Sequence, residues 1–549
     1  MSSSTTLETT VSCREQFKCE LAPYQHTHYC VLHLPSADKT AAFEQALSKR
    51  LRDQNFDFRG VWFPAKANFS NFPFTDEVSF EQATFNGEAV FTSATFEKAV
   101  SFKSARFGGD ATFSGVILGG QADFDKATFH RTVDFRRSIF SEAASFRSSK
   151  FEEPVTFDRA TFDAEVSFNN STFRQRADFA TRFRDRADFS QSEFEGLAEF
   201  TRVNFEKQAN FFSTKFISTS TFDYATFNSS TTFNTATFVG PVNFRSATFG
   251  EIANFSEVSF QARVLFNSVK FNGQANFQFA NFKDYVRFNQ VLFLGSPPNF
   301  REVEFDKPGL ISFHSMSLRP FWFVEVNATE FALSNVTWDW RLISIDEEIA
   351  EILKHYEQLP SHRAAYTLLA IACWNLAVNA EENHRYDEAS RFRYLAMELR
   401  RKDSLYRDVP RKLAWRKTLI GWFGRDRKIQ RSPPDKSNVF RNSPSRRVGP
   451  LHWLYWLLSG YGERIMRALL VLIGIWAMFG FIYAVVLRDD YDKALGWRGL
   501  PYSAAVITLQ RPQPSPSPGV QQALVTLETI LGPLQVALLA LAIRRKFMR

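Results

Sequence analysis

The stretch Val78-Ser-Phe80-Glu-Gln-Ala-Thr-Phe85-Asn-Gly-Glu-Ala-Val-Phe91-Thr-Ser-Ala-Thr-Phe96 decides the fold. Its phenylalanines fall five, six and five residues apart, and this alternation continues to Phe293. One series runs Phe80, Phe91, Phe102, Phe113 and on to Phe179; a second runs Phe85, Phe96, Phe107, Leu118 and on to Phe173. One residue is lost at Phe179-Ala-Thr-Arg-Phe183, and both series then resume. Two residues before almost every Phe stands Ala, Val, Ser or Thr. Neither a helical period of 3.6 nor a strand period of 2 produces this. A fixed short period over such a length reads as a solenoid. Four short faces per coil, each turning one large and one small residue inward, account for the spacing. The expected rod has about ten coils and is about 48 Å long at roughly 4.8 Å per rung.

The motif Ala/Val-x-Phe-x-x over residues 65–315 resembles the pentapeptide-repeat family. The resemblance implies a right-handed quadrilateral β-helix. The fold class expected is therefore mainly β solenoid, with coils of about 22 residues. The chain departs from the family by adding a residue to every second face. Corners such as Asn86-Gly87-Glu88, Gly108-Gly109-Asp110 and Arg174-Gln175-Arg176 should be wider and solvated. Phe turned inward leaves no ladder for stacking bases, and the rod's acids and bases nearly balance, so neither nucleic-acid binding nor DNA mimicry is expected. On one face the outward residue before each Phe is short and polar: Ser79, Ser101, Asp123, Ser145, Ser167, Asp188, Asn210. A flat stripe of this kind is a candidate surface for an unknown protein partner or a second rod.

Three of the four cysteines lie in the first thirty residues, which is no disulfide framework. Cys13 and Cys19 are followed by His26, His28, Cys30 and His33. The spacing Cys30-Val-Leu-His33 lets two side chains reach one tetrahedral ion, and three Cys with one His is an established structural zinc set. Cys13, Cys19, Cys30 and His33 are the expected zinc ligands, with His26 or His28 as other choices for the fourth. So short and polar a segment would draw its folding energy from the metal. Reduced thiolates suit a cytosolic setting. No apolar stretch opens the chain, so no signal peptide is expected. The knuckle and an amphipathic helix carrying Phe43, Leu47 and Leu51 would cap the first coil, whose open edge invites aggregation. At the far end, Trp322, Trp338 and Trp340 are expected to close the rod.

Ser344-Ile-Asp-Glu347 is a capping box. Two further helices, about His362 to Glu382 and Tyr386 to Lys402, resemble one tetratricopeptide-like hairpin through Leu376, Ala377, Ala380, Tyr386, Ala389 and Ala396. The net charge of +8 is concentrated: Arg400 to Arg447 carries sixteen Lys/Arg against four Asp. Beside a membrane segment this points to anionic lipid. Met466–Leu487 and Ala523–Ile543 are apolar and long enough to span a bilayer. Basic residues before the first and after the second place both termini and the rod in the cytoplasm. Tyr502–Leu509 between them, with Leu527-Glu-Thr-Ile-Leu-Gly-Pro-Leu-Gln535, resembles the two-helix, pore-loop potassium-channel domain. The resemblance breaks at Gln510-Arg-Pro-Gln-Pro, where a glycine-rich filter would stand, so the domain is degenerate. Glu528 and Gln535 are the polar residues of the second span. In one chain Glu528 would face lipid, which suggests several subunits around a polar centre.

The expected organisation is residues 1–35 zinc knuckle, 36–64 capping helix and lead-in strand, 65–340 solenoid, 341–404 helical hairpin, 405–465 basic linker and 466–549 membrane domain. No nucleophile–base pair, phosphate loop or paired carboxylate site is visible, so an enzyme is not expected. The expected function is a scaffold or sensor at the cytoplasmic face of a bacterial-type inner membrane, in contact with membrane lipids and forming a homo-oligomer. The alternative is an oligomeric channel-like or membrane-permeabilising effector gated by the rod.

Overall fold

Most coils are four strands of two residues, such as Trp62–Phe63, Ala67–Asn68, Pro73–Phe74 and Val78–Ser79, joined at four corners. These four, β1 to β4, head four stacked parallel sheets of 12, 13, 11 and 10 strands among the described residues. The computed structural model describes residues 13, 17, 19, 21–25, 27–338, 344–355, 362–407, 450–461, 464–486, 499–511, 515–516 and 519–547. Rungs pair one coil apart: Trp62 with Thr84, Ala67 with Ala89, Pro73 with Thr95, Val78 with Val100. The result is a β-solenoid of about 13 turns with coils of about 22 residues. That exceeds the ten coils expected, because Phe58 and Phe63 begin the columns early and Phe300, Phe305 and Phe313 extend them.

The phenylalanines fill the interior. Phe80, Phe102, Phe124, Phe146 and Phe168 stack with ring centroids 4.7–4.9 Å apart. The neighbouring column from Phe91 to Phe157 meets them edge-on at 5.4–5.7 Å. Offset stacks and edge contacts are the two arrangements that ring quadrupoles favour. Leu118 interrupts another column, between Phe96 and Phe140.

The corners alternate. At the tight ones the Ala83 amide donates to the Phe80 carbonyl at 3.0 Å, across a turn in which Gln82 has φ +57°. Ser104, Lys126, Ser148 and Asn170 repeat that left-handed position at the same corner of successive coils. An L-residue there costs roughly 1–2 kcal/mol, which the closed turn and the ladder bonds offset. The wide corners hold the extra residue, with Asn86, Glu88 and Arg174 to Arg176 exposed to solvent. One coil is shorter. Thr181 donates its amide to the Phe179 carbonyl at 2.7 Å, and Phe162 pairs with Phe183, so the ring column continues with centroids 5.1 Å apart. The Thr181 hydroxyl is buried and donates to the Phe157 carbonyl at 2.6 Å. Ser149, Ser192 and Thr214 bond other Phe carbonyls in the same way, at 2.6–2.8 Å. Hydroxyls at the small inward position are thus satisfied, as buried polar groups must be.

At the far end Trp322 and Trp338 are buried, Trp322 edge-on to Phe293 at 5.3 Å. Trp340 lies outside the described residues.

At the start of the rod, α1 (Thr40–Arg52) buries Phe43 edge-on to Phe63 at 5.5 Å. The C-terminal unit holds seven helices among the described residues: α2 (Ile345–His355), α3 (His362–Glu382), α4 (Tyr386–Arg407), α5 (Pro450–Ser459), α6 (Ile465–Val486), α7 (Gly499–Ile507) and α8 (Val520–Phe547). The hairpin of α3 and α4 turns through Asn383-His384, with His384 at φ +59°. Asn379 anchors it, donating to the Ala328 and Thr329 carbonyls at 3.0 and 2.9 Å. Two helices are long and apolar enough to cross a membrane, over Ile465–Val485 and Val520–Arg544. The short α7 lies against α6, where the bare backbones of Gly480 and Gly499 touch; a Cβ on Gly499 would sit 2.2 Å from the Gly480 carbonyl oxygen.

Candidate metal centre and docking face

The N-terminal segment places four side chains together. The ligand atoms of Cys13, Cys19, Cys30 and His33 lie within 4.8 Å of one another, and all four residues are buried. Local backbone does most of the placing. Pro23 and Cys30 form an antiparallel bridge, and the amides of His33 and Leu34 both donate to the Cys30 carbonyl, at 3.1 and 3.0 Å. That turn brings the Cys30 sulfur to 2.9 Å from His33 Nδ1. The Cys30 amide points at the Cys13 sulfur, 3.2 Å away. Cys19 and Cys30 sulfurs are 3.4 Å apart, well beyond the ~2.05 Å of a disulfide, and the thiols are free. A shared proton between these two holds the Cys19 thiol below its ordinary range and Cys30 above it.

His33 Nε2 lies 2.8 Å from the Arg59 carbonyl, an acceptor only, so Nε2 carries the hydrogen and Nδ1 faces the sulfurs with a lone pair. A fixed second nitrogen of this kind is the usual support of a metal-binding imidazole. Phe17 stacks on the His33 ring at 5.1 Å and presses on Gly60, whose φ of +64° and lack of a side chain admit it. His28 is exposed and outside the cluster. His26 lies outside the described residues. The four residues can hold a metal ion.

One residue here was not marked by sequence. Lys39 ends a 3-10 turn (Ala37–Lys39) between the cluster and α1 and is 1% exposed. Its Nζ donates to the Leu32 carbonyl at 2.9 Å. Burial pushes its ammonium down to about 7, with the Cys30 sulfur acting the other way. In the sequence it stands in Asp38-Lys39-Thr40, which reads as an exposed helix start.

The polar stripe is where the spacing placed it, on the sheet headed by β4, but it is concave. Two adjoining hollows of about 440 and 310 Å³ share Gln121 and Asp123 and run from Phe56 to Ser167. Ser101, Asp123, Ser145 and Ser167 lie in their floor. Asp188 and Asn210 continue the same sheet but line neither hollow. The walls bring in Glu77, Glu81, Asp125 and Glu165. The flat-stripe expectation is therefore corrected: longer corner side chains rise on both sides of the short ones. Burial, then the neighbouring Asp125 and Glu81 carboxylates, raise the Asp123 carboxyl above its ordinary range. Arg59 and Arg147 are already engaged, Arg59 with Asp57 at 2.7 Å and Arg147 with the Ser167 hydroxyl at 3.2 Å.

In the C-terminal unit Glu528 is 0% exposed. Its carboxyl bonds the Ser503 hydroxyl of α7, which also reaches the Trp476 carbonyl of α6 at 3.2 Å. The expectation that Glu528 faces lipid in a single chain does not hold, because α7 folds back over it. Gln535 is also buried and donates to the Leu458 and Ala468 carbonyls, each at 2.8 Å, tying α8 to α5 and α6. Gln535→Leu is expected to lower stability in detergent by about 1–2 kcal/mol, read as a fall in the unfolding midpoint. Trp456 of α5 is held between Arg401 of α4 and Arg467 of α6, with guanidinium carbons 4.5 and 4.6 Å from its ring centroids. Gly460-Tyr461 is the tight turn that follows α5; Tyr461 is buried with its hydroxyl 3.4 Å from the Met397 carbonyl.

Among known families, one described as pentapeptide repeats (9 copies) matches residues 69–117, 80–128, 91–139 and 135–181. No curated protein and no solved structure matches the chain.

Proposed function

We propose that this chain, whose rod is a pentapeptide-repeat β-solenoid, is a non-enzymatic scaffold held at a membrane that docks a cationic, extended protein segment along the trough of its first coils. The observation carrying this is the trough itself: Glu77, Glu81, Asp123, Asp125 and Glu165 line a polar hollow in which acids outnumber the two arginines, Arg59 held by Asp57 and Arg147 bonded to the Ser167 hydroxyl. A Lys/Arg-rich peptide should bind the detergent-solubilised chain, weakening as salt shortens the screening length. Asp123→Lys should weaken it at least about tenfold through like-charge repulsion. Because the Asp123 carboxyl is raised, it loses its charge at a higher pH than an ordinary aspartate. Affinity should therefore fall as the solution is acidified, at a higher pH than an ordinary aspartate would set. Equal binding of an acidic peptide, or no effect of Asp123→Lys, would sink the docking reading.

The C-terminal helices serve as the anchor. With the basic flanks of both apolar helices, this supports a multi-pass protein of a bacterial-type inner membrane with cytoplasmic termini, its basic linker on anionic lipid. Glu528 and Gln535 find partners inside one chain, which favours the anchor over a polar pore shared by subunits. The Arg401–Trp456–Arg467 stack is the route by which a change in the hairpin would reach α6. Cysteine labelling of either terminus from outside intact cells would overturn the topology.

The N-terminal cluster is the structural site of a zinc ion. Tetrahedral zinc, with bonds of about 2.3 Å to sulfur and 2.0–2.1 Å to nitrogen, sets its ligand atoms about 3.5–3.8 Å apart. The cluster is already close to that, with an imidazole lone pair aimed inward. The ion would supply folding energy to the cap.

A further inference from the structure

Among the described residues Lys39 is the one buried Lys or Arg, and no carboxylate of those residues forms an ion pair with it. Its Nζ lies over the rings of Phe43 and Trp62, 4.8 and 5.4 Å from their centroids. Aromatic faces attract a cation but supply no counter-charge, and a buried charge without a partner is costly. The metal cluster has the opposite deficit. Three thiolates and one neutral imidazole around a divalent ion leave one negative charge in a buried site. The two meet at the ligand loop. The Leu32 carbonyl, between Cys30 and His33, accepts both the Lys39 ammonium at 2.9 Å and the Trp62 amide of β1 at 3.0 Å.

We propose that Lys39 is the counter-cation of the metal centre and the positioning residue of its Cys30–His33 loop, fastening that loop to the first rung of the rod. This rests on the zinc reading above. Lys39→Met keeps the aliphatic stem and removes the charge, while Leu32 keeps its bond from Trp62. Lys39→Arg keeps the charge.

The test is cobalt(II) titration of the full-length chain in detergent, followed by the visible ligand-field bands of a tetrahedral thiolate site, then zinc competition. The rod's melting transition serves as the folding control. We expect the unsubstituted chain to show the bands, Lys39→Met to bind 10–100-fold more weakly with the same band positions, and Lys39→Arg to recover most of the affinity. Unchanged affinity in Lys39→Met overturns the proposal while leaving the zinc reading intact. Equal loss in both variants overturns it too, since packing and not charge would then be the cause. Should the unsubstituted chain give no bands, the zinc reading fails and Lys39 has no centre to serve.

Discussion

Phe146→Ala should destabilise the rod by about 3–5 kcal/mol, the range for emptying a buried aromatic site. The ring is fully buried, stacked on Phe124 at 4.7 Å and Phe168 at 4.8 Å, and edge-on to Phe135 and Phe157 at 5.7 Å each. Relaxation cannot close the hole, because each neighbour is pinned by its own column. A solenoid's stability is a sum over coils and their interfaces, so the loss falls on two interfaces and should appear as early melting or fast amide exchange between residues 124 and 168. Phe146→Leu should cost much less, roughly 1 kcal/mol, since Leu118 already fills the equivalent place in another column. The outward Ser145→Ala, which removes a single hydroxyl bond to Asp125, should cost about 1–2 kcal/mol, well below the loss at Phe146. A Phe146→Ala chain that melts like the parent would place that ring outside and refute the packing.

Loss of the metal centre should have the second large effect. Cys30 contributes its sulfur beside Cys19 and His33, its amide to Cys13, and its carbonyl to the turn that presents His33. Cys30→Ser, or stripping with a strong chelator, should abolish zinc content and unfold the segment from Cys13 to Ser36. Structural zinc contributes apparent binding free energies of about 10–16 kcal/mol in small domains, far more than so short a segment gains from packing. The first rung would then lose its cover, and exposed strand edges pair with other chains. The readouts are bound zinc by elemental analysis and self-association by light scattering. His28→Ala, at an exposed position, should change neither. A chelated chain that keeps its state of association and an ordered cap would remove the metal's structural role.

The rod was legible because one period was imposed for more than two hundred residues, and only inward Phe satisfies it. The corners were legible only in part. Sequence located the extra residue at Asn86-Gly87-Glu88, but nothing in Gln82 or Lys126 announces a left-handed backbone, since the strain is offset by pairing with other coils. The cluster of Cys13, Cys19, Cys30 and His33 could be read from ligand type and spacing. Lys39 could not, because its burial depends on Phe43 and Trp62, residues distant from it in role. Glu528 was placed correctly on a membrane-length helix and given the wrong surroundings. Hydropathy reports the length of α6 and α8 but not that α7 would turn back to cover the carboxyl. The stripe was found, while its walls were missed, since spacing orders residues along a face and says nothing of relief.

The shortened coil at Thr181 has a consequence for how the chain finds its alignment. A ladder of near-identical rungs is almost periodic, so a growing end could mate with the rung one step too far and keep every ring stacked. Translation by one coil must not be a symmetry of the whole. The missing residue between Phe179 and Phe183 breaks that symmetry as a dislocation does in a crystal. Mated one rung out of phase, the Thr181 hydroxyl would lose the Phe157 carbonyl that it meets in the correct alignment. The defect therefore works as a phase mark, giving an otherwise repetitive rod a single correct count.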